Sequence, residues 1–450
     1  MRRDVAAGAL AIVLAAASGA AQEPYRSLAD RPPEYAGPGR EHPDLLPQGE
    51  VTLAWFGPGE ADHAEGGDFW RGASLALADA NRAGGFEGRP FRLLPVWSDN
   101  PWAAGVGQLA RAVFEGRAVA ILAAIDGPSA HLAEQVAAKA LLPVVSPGST
   151  DETVNLAGVP WMFSCLPGDE RLASAVVPAL LRAAEGGPLA VAATTDHDGR
   201  AALVAYRRVL AARGVSPALL VEWRGVEAEV GAVAEQVLAA SPRAVLVLAS
   251  ARGSGRLVAA LRERGYAGPV FGGATLGRRL FGEAAGAASE GAVFPLVFEP
   301  AVDGDVFAVR YEAAYGHPPD YAAAQSYDAV RLLVEAVRRA GPNRSRVLDA
   351  VRALSPWRGV TGEHRWDVLG RNQRPIALGT WKGGRTVPLA ARPGEAGRRA
   401  VRALPPAQGR AVSAVATRSS EGNVRVTFRV LKAAARSASR FTRAGASSGG

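Results

Sequence analysis

Residues 51–97 read VTLAWFGPGE ADHAEGGDFW RGASLALADA NRAGGFEGRP FRLLPVW. Val51–Phe56 is a short apolar strand. Gly67–Arg82 sets Trp70, Ala73, Leu77 and Ala80 three and four residues apart, the spacing of one buried helix face. Gly84-Gly85 end that helix, because glycine enters left-handed geometry without steric cost. Phe91–Trp97 is extended and apolar again. A strand, a helix and a strand in this order predict a parallel sheet with crossover helices.

The rhythm continues in both directions. Trp102–Phe114 is a helix with Trp102, Val106, Leu109 and Val113 on one face. Val119–Ile125 is apolar throughout, as a strand covered on both faces should be. Asp126-Gly127-Pro128 turns into a helix at Ser129–Ala140, and Pro143–Val145 is a fourth strand. A second series follows: helices over Asp169–Ala184, Arg200–Arg213, Val226–Ala240 and Gly255–Arg264 alternate with strands at Leu189–Thr195, Leu219–Trp223, Val245–Ala249 and Val270–Gly273. Gly291–Phe298 is extended, and Val306–Tyr315, Tyr321–Ala340 and Arg346–Leu354 are helical. His364–Asp367 and Ile376–Trp381 read as a closing pair of strands. The expected fold is α/β, with two doubly wound parallel-sheet lobes. Lobe 1 covers 51–167, lobe 2 covers 168–297, 298–361 return to lobe 1, and 362–384 close lobe 2.

The ends differ from this body. Met1–Ala21 carries Arg2 and Arg3, an apolar run over Val5–Ala17, and the small residues Ser18-Gly19-Ala20-Ala21. That pattern is a cleavable export signal, and its apolar run is too short to span a membrane. Export places the chain in the periplasm or beyond, which disfavours most nucleotide-dependent enzymes. Residues 22–50 are rich in proline and charge and read as an extended leader. From Arg385 onward twelve Arg and Lys432 face only Glu395 and Glu421, a surplus of 11 positive charges. The whole-chain net charge is +8, so the folded body is mildly acidic and the basicity belongs to the tail. This distribution gives no support to nucleic-acid binding. The tail, 385–450, shows no stable period and is expected to lack regular structure. Cys165 is the single cysteine, in the apolar run Trp161–Cys165, and is expected in the core.

Ligands of open α/β sheets gather at the carboxyl ends of strands, beside helix N-termini. Those tips here are Gly57–Gly66, Ser98–Trp102, Asp126–Ser129 and Ser146–Thr150 in the first lobe, and Asp196–Arg200, Ser250–Gly253 and Gly273–Thr275 in the second. Ser129, Ser146, Ser149, Thr150, Ser250 and Thr275 recur at them as small hydroxylated residues. Each alone is an ordinary cap or turn residue; together they suggest a polar cleft.

Several segments resemble a family. Gly72-Ala73, Ala76 and the run Asn81–Phe91 resemble the first helix and turn of type I periplasmic solute-binding proteins of ABC importers, in the branch of the branched-chain amino-acid and amide binding proteins. Leu141–Thr150 is similar to the strand and ligand loop that follow, and Pro319–Ala323, Tyr327–Val330, Gly359–Gly362 and Trp366-Asp367 are similar to later helix and hinge segments. The resemblance spans about Val51 to Gly384. It implies two lobes joined by hinge strands, closing over a small polar solute and presenting the closed form to an inner-membrane permease. It also implies a hydroxyl pair for the solute's carboxylate; Thr150 matches one position, with Ser149 beside it, while Gly127 stands at the other. The second lobe's acidic residue is replaced by Ala274, and the covering aromatic by Asp198. These departures argue against an ordinary branched-chain amino acid: either Asp198 takes the ammonium role or the solute is not an amino acid. Asp126 and Trp102 complete the expected ligand-binding set, and Trp55 and Phe56 are further stacking candidates.

Other chemistries find little. Gly105-Val106-Gly107-Gln108-Leu109-Ala110 mimics a dinucleotide fingerprint, but its glycines lie inside a helical pattern. No G-x-S-x-G string occurs, and the six histidines are scattered without metal-ligand spacing. Asp196-His197-Asp198 reads as a solvated turn, and His131 either lines the cleft or is structural. The expectation is a monomeric, non-enzymatic binding protein with no catalytic residues, cofactor, metal or nucleic-acid partner, feeding an importer or, alternatively, a signalling partner.

Overall fold

The computed structural model describes residues 39–45, 49–97, 105–123, 125–156, 159–299, 305–389, 412–418 and 424–430. The export signal at 1–21, most of the leader and Trp102 lie outside the described residues. Residues up to Leu389 form one compact unit, and Ala390–Gly450 form a second.

The first lobe holds a five-stranded sheet of β1 (Val51–Phe56), β2 (Phe91–Val96), β3 (Ala120–Ala123), β4 (Val144–Ser146) and β5 (Met162–Ser164). All neighbours are parallel, in the order β2-β1-β3-β4-β5. The fifth strand comes from the apolar run around Cys165, which the sequence pattern marks only as core. Helices α1 (Gly67–Arg82), α2 (Val106–Phe114), α3 (Gly127–Ala140) and α4 (Thr153–Leu156) follow β1 to β4 in turn. Both faces of the sheet are covered, so β1 and β3 are buried at every position. Trp55 and Phe56 are therefore core rather than cleft residues: both are fully buried, and the Trp55 indole N–H donates to the Pro58 carbonyl at 2.9 Å.

The buried face of α1 is turned by one residue from the predicted one. Phe69, Gly72, Ala73, Ala76 and Ala80 point inward, while Trp70 and Leu77 are half-buried. Small residues at 72, 73 and 76 let a later helix approach closely, and that contact sets the rotation.

The second lobe contains α5 (Asp169–Ala184), β6 (Leu189–Thr194), α6 (His197–Ala211), β7 (Leu219–Trp223), α7 (Glu227–Ala239), β8 (Ala244–Leu248), α8 (Ala251–Glu263), β9 (Val270–Gly272), α9 (Arg279–Ala285) and β10 (Val293–Leu296). Its strands run parallel in the order β10-β9-β8-β6-β7. Edge strand β7 buries only Val221 and Trp223, the alternation of a half-covered edge.

The chain then returns. Helices α10 (Asp305–Tyr315), α11 (Tyr321–Ala340) and α12 (Arg344–Ala353) pack into the first core through Phe307, Tyr311, Leu333 and Val347. A hairpin of β11 (Trp357–Gly359) and β12 (Gly362–His364) is pinned to α11 by Asp328. This fully buried carboxylate accepts from the Val360 and Thr361 N–H groups at 2.8 Å each and from the Thr361 hydroxyl at 2.7 Å. Strand β13 (Ala377–Lys382) adds antiparallel to β10, and β14 (Arg385–Pro388) adds to β13. The expected pairing of His364–Asp367 with Ile376–Trp381 is therefore corrected: each finds a different partner, because they belong to different lobes.

Three segments cross between the lobes, at 165–168, 297–299 and 365–376, and side chains tie them together. Asn372 donates to the Cys165 carbonyl at 2.6 Å, Arg374 to the Val297 carbonyl at 3.0 Å, and the Trp366 indole to the Ser164 carbonyl at 2.8 Å. These are the hinge strands of a two-lobed binding fold.

In the second unit, β15 (Val412–Arg418) and β16 (Val424–Val430) pair antiparallel, with Val415 opposite Thr427. This pair, like β14, departs from the expectation of a tail without regular structure. Val424, Val426, Phe428 and Val430 alternate with polar residues, and Gly422-Asn423 is a turn signal just before them. Arginine-rich composition masks that period-two pattern. Among the described residues no helix is long and apolar enough to cross a membrane.

Candidate functional site

A cavity of about 390 Å³ lies where the carboxyl ends of both sheets meet. Its first-lobe wall includes His63, Glu65, Phe69, Asp126 and Thr150; its second-lobe wall includes Asp196, Asp198, Ser250, Thr275 and Arg278. Asp169, at the head of α5, and Tyr321, at the head of α11, also line it.

Local rules place these groups. Asp126 is the N-cap of α3: its carboxylate accepts from the Ser129 N–H at 2.8 Å, and the Ser129 hydroxyl answers the Asp126 N–H at 3.4 Å. Asp196 caps α6 through the Gly199 N–H at 2.8 Å, and Ser250 caps α8 through the Gly253 N–H at 3.2 Å. Thr275 lines the cavity but donates its hydroxyl to the Ala249 carbonyl at 2.9 Å. The Asp169 backbone N–H donates to the Thr150 carbonyl at 2.9 Å, which sets the Thr150 side chain beside the Asp169 carboxylate.

Of the residues singled out in the sequence, Thr150, Asp126, Asp198, Ser250 and Thr275 border the cavity. Ser129, Ser146 and Ser149 are buried behind it and shape the loops. The Ser146 hydroxyl accepts from the Ser149 N–H at 3.3 Å, and the Ser149 hydroxyl from the Asp151 N–H at 3.1 Å. Gly127 takes part through its backbone: its N–H donates to Asp198 Oδ1 at 3.1 Å, across the gap between the lobes. A Cβ at 127 would sit 2.4 Å from that same oxygen. Gly127 and Asp198, the positions where the resemblance implied a hydroxyl and an aromatic, therefore touch each other. Asp169, Arg278, Glu65 and Tyr321 were not anticipated. Arg278 follows the flagged tip Gly273–Thr275 by three residues, a signal that could have found it.

The cavity is strongly acidic on one side. Burial pushes the carboxyls of Asp126, Asp169 and Asp198 up, the latter two well above the usual carboxylate range. Neighbouring charges add to this, from Asp126 on Asp198 and from Asp198 on Asp169. Asp126 accepts from the Ser129 N–H and Asp198 from the Gly127 N–H; no guanidinium or ammonium among the described residues pairs with the three carboxylates. On the opposite side Arg278 is buried between the rings of Phe69 and Tyr321, at 5.0 and 5.8 Å from their centroids. Its Nε donates to Asp320 at 2.7 Å, and Asp68 lies 3.7 Å away. Burial opposes its charge, but those carboxylates keep it firmly protonated. Asp68 is held below the usual range in spite of its own burial, because Arg278, Arg279 and Arg71 surround it. Arg278 and Arg279 belong to the second lobe and Asp68 and Asp320 to the first, so these ion pairs bridge the cleft.

A second bridge stands beside Asp198. Asp151 Oδ2 accepts from His131 Nε2 at 3.0 Å and from His197 Nε2 at 2.7 Å, while Thr153 donates to Oδ1 at 2.7 Å. Burial alone would raise Asp151; the hydrogen bonds from both histidines and Thr153 hold it far below its usual value.

Two lobes, three crossings and a cavity at the carboxyl ends of both sheets agree with what sequence comparison finds. A family profile described as periplasmic binding protein matches residues 51–385. The chain belongs to the periplasmic binding protein family. A relative from Pseudomonas aeruginosa, named amino acid binding protein, is 24% identical over 326 residues, covering 71% of this chain and 87% of that one. Among solved periplasmic binding proteins, a leucine binding protein from Thermotoga maritima superposes with a TM-score of 0.67 at 19% identity, over 76% of this chain and 98% of that one. A branched-chain amino-acid binding protein from Streptococcus pneumoniae, in complex with isoleucine, superposes with a TM-score of 0.68 at 19% identity, over 76% and 100%. A solute-binding protein from Rhodopseudomonas palustris, in complex with benzoate, gives 0.67 at 20% identity, over 76% and 96%.

Proposed function

We propose that this periplasmic binding protein closes on a small, polar, amine-bearing solute of amino-acid type and delivers it to an ABC permease of the inner membrane, with no catalytic step. The observation that carries this reading is the trio of buried Asp169 and half-buried Asp126 and Asp198, with no guanidinium or ammonium partner among the described residues, beside a cavity of about 390 Å³. Uncompensated buried carboxylates are unfavourable until a cation arrives, and an ammonium group would supply the missing charge. Arg278 does not reverse this balance, since Asp320 and Asp68 already match it. The Pseudomonas aeruginosa relative's name supports an amino-acid-like solute. A benzoate-like anion suits this acidic wall poorly. The amino-terminal pattern of Met1–Ala21 supports export.

Thermal-shift screening tests the class of solute. Amine-bearing compounds should raise the melting temperature, and small carboxylic acids without an amine should not. If only anions or neutral compounds stabilise the protein, the reading fails.

Affinity should also rise with pH. Asp126 and Asp169 have raised pKa values when the cavity is empty, so each retains its proton above the usual carboxylate range. A cation favours the ionised forms, so binding releases protons and tightens as pH climbs through the raised values. Calorimetry in two buffers of different ionisation enthalpy reads that release; proton uptake on binding would contradict it.

A further inference from the structure

The His131–Asp151–His197 bridge stands at the edge of the cavity: His197 lines it, whereas His131 and Asp151 do not. Its three ligand-type atoms lie within 4.8 Å of one another. Asp151 and His131 belong to the first lobe; His197 opens α6 in the second. Both imidazoles aim Nε2 at the same Asp151 oxygen, at 3.0 and 2.7 Å, and their rings meet edge to face with centroids 5.3 Å apart. An ionised carboxylate only accepts, so both Nε2 atoms carry hydrogens here.

We propose that these three side chains form a transition-metal site, of the class taken by Zn²⁺, in which one ion takes the place of the two Nε2 hydrogens, each neutral imidazole then carrying its hydrogen on Nδ1, and clips the lobes together. Two imidazoles and one carboxylate are a common ligand set for such an ion, with water in the fourth position. A tetrahedral ion with bonds of about 2.0–2.1 Å needs ligand atoms about 3.3 Å apart, so each Nε2 must move out from Asp151 Oδ2 by only a few tenths of an ångström, with the two nitrogens already within 4.8 Å of each other. The histidine side chains are 25% and 36% exposed, which leaves an entry path and room for that water. Asp151 is held from its other oxygen by Thr153, and the far ring nitrogen of His131 faces Glu134 at 4.0 Å. Such supporting contacts orient metal ligands. Because His197 also lines the cavity, the ion is titrated without solute, so that its binding is read apart from that of the solute.

Zn²⁺ titrated calorimetrically into the chelator-stripped full chain should show a site of one equivalent, and Co²⁺ should give the intense visible absorption of tetrahedral coordination. H131A and H197A should each weaken Zn²⁺ binding by at least about 100-fold, more than loss of a supporting contact costs. H197Q is the second arm: Gln retains a hydrogen-bond donor for Asp151 but ligates metal poorly, so it should fold as the parent does and still lose the ion. Exposed His42 serves as the control, with H42A unchanged. Zn²⁺ affinity in the H131A/H197A double variant equal to that of the parent would overturn the site, as would a Co²⁺ spectrum of the weak octahedral type.

Discussion

Asp198→Asn should weaken capture of an amine-bearing solute by about 100-fold or more, since removing one member of a desolvated charge pair costs about 3–5 kcal/mol. The substitution is nearly isosteric, and the amide oxygen still accepts from the Gly127 N–H, now 3.1 Å from the carboxylate. The empty protein should melt no lower than the parent, because a buried amide avoids the desolvation that pushes the Asp198 carboxyl up. Calorimetry with the best compound from the thermal-shift screen, alongside melting curves without it, separates the two effects. Unchanged affinity would show that the ammonium sits elsewhere and would remove Asp198 from the site.

Gly72→Ala should destabilise the protein by about 3 kcal/mol, at the upper end for overpacking. A Cβ at 72 would lie 2.0 Å from the Ala323 carbonyl oxygen, with the Ala323 carbonyl carbon and Cα at 2.7 and 2.8 Å. Every atom it meets is backbone, in the first turn of α11, so no side chain can swing aside. The helices must part, and the Asp320 cap that starts α11 and holds Arg278 moves with them. A folded body of roughly 340 residues shifts by about 1–2 °C per kcal/mol, so melting should fall by roughly 3–6 °C. A change within about 1 °C would mean that this helix pair tolerates separation and that the close approach matters little.

The strand–helix rhythm was legible because it is written locally. Leu219–Trp223 and Asp169–Ala184 match their predicted bounds, since periodicity and caps act within a few residues. Pairing was less legible. The destination of β13 depends on β10, some 80 residues earlier by register, and nothing near Ala377 announces it. The cleft divided along the same line. Thr150 and Asp198 border the cavity because loop tips follow strand ends and the family resemblance marked both positions, whereas Ser129, Ser146 and Ser149, as small and hydroxylated as Thr150, turn inward. A hydroxyl near a helix start satisfies either a ligand or a backbone N–H, and only the fold decides. Asp151 has its histidine partners 20 and 46 residues away, from two different lobes, so no spacing rule could unite them.

The contact between Gly127 and Asp198 makes those two letters epistatic. A hydroxylated residue restored at 127 alone would collide with the carboxylate opposite, and an aromatic restored at 198 alone would leave the remaining acids without their partner in gripping a cation. On the proposed reading, specificity is coupled across the hinge: retuning the protein toward another solute requires both lobes to change in concert, and single substitutions are handicapped.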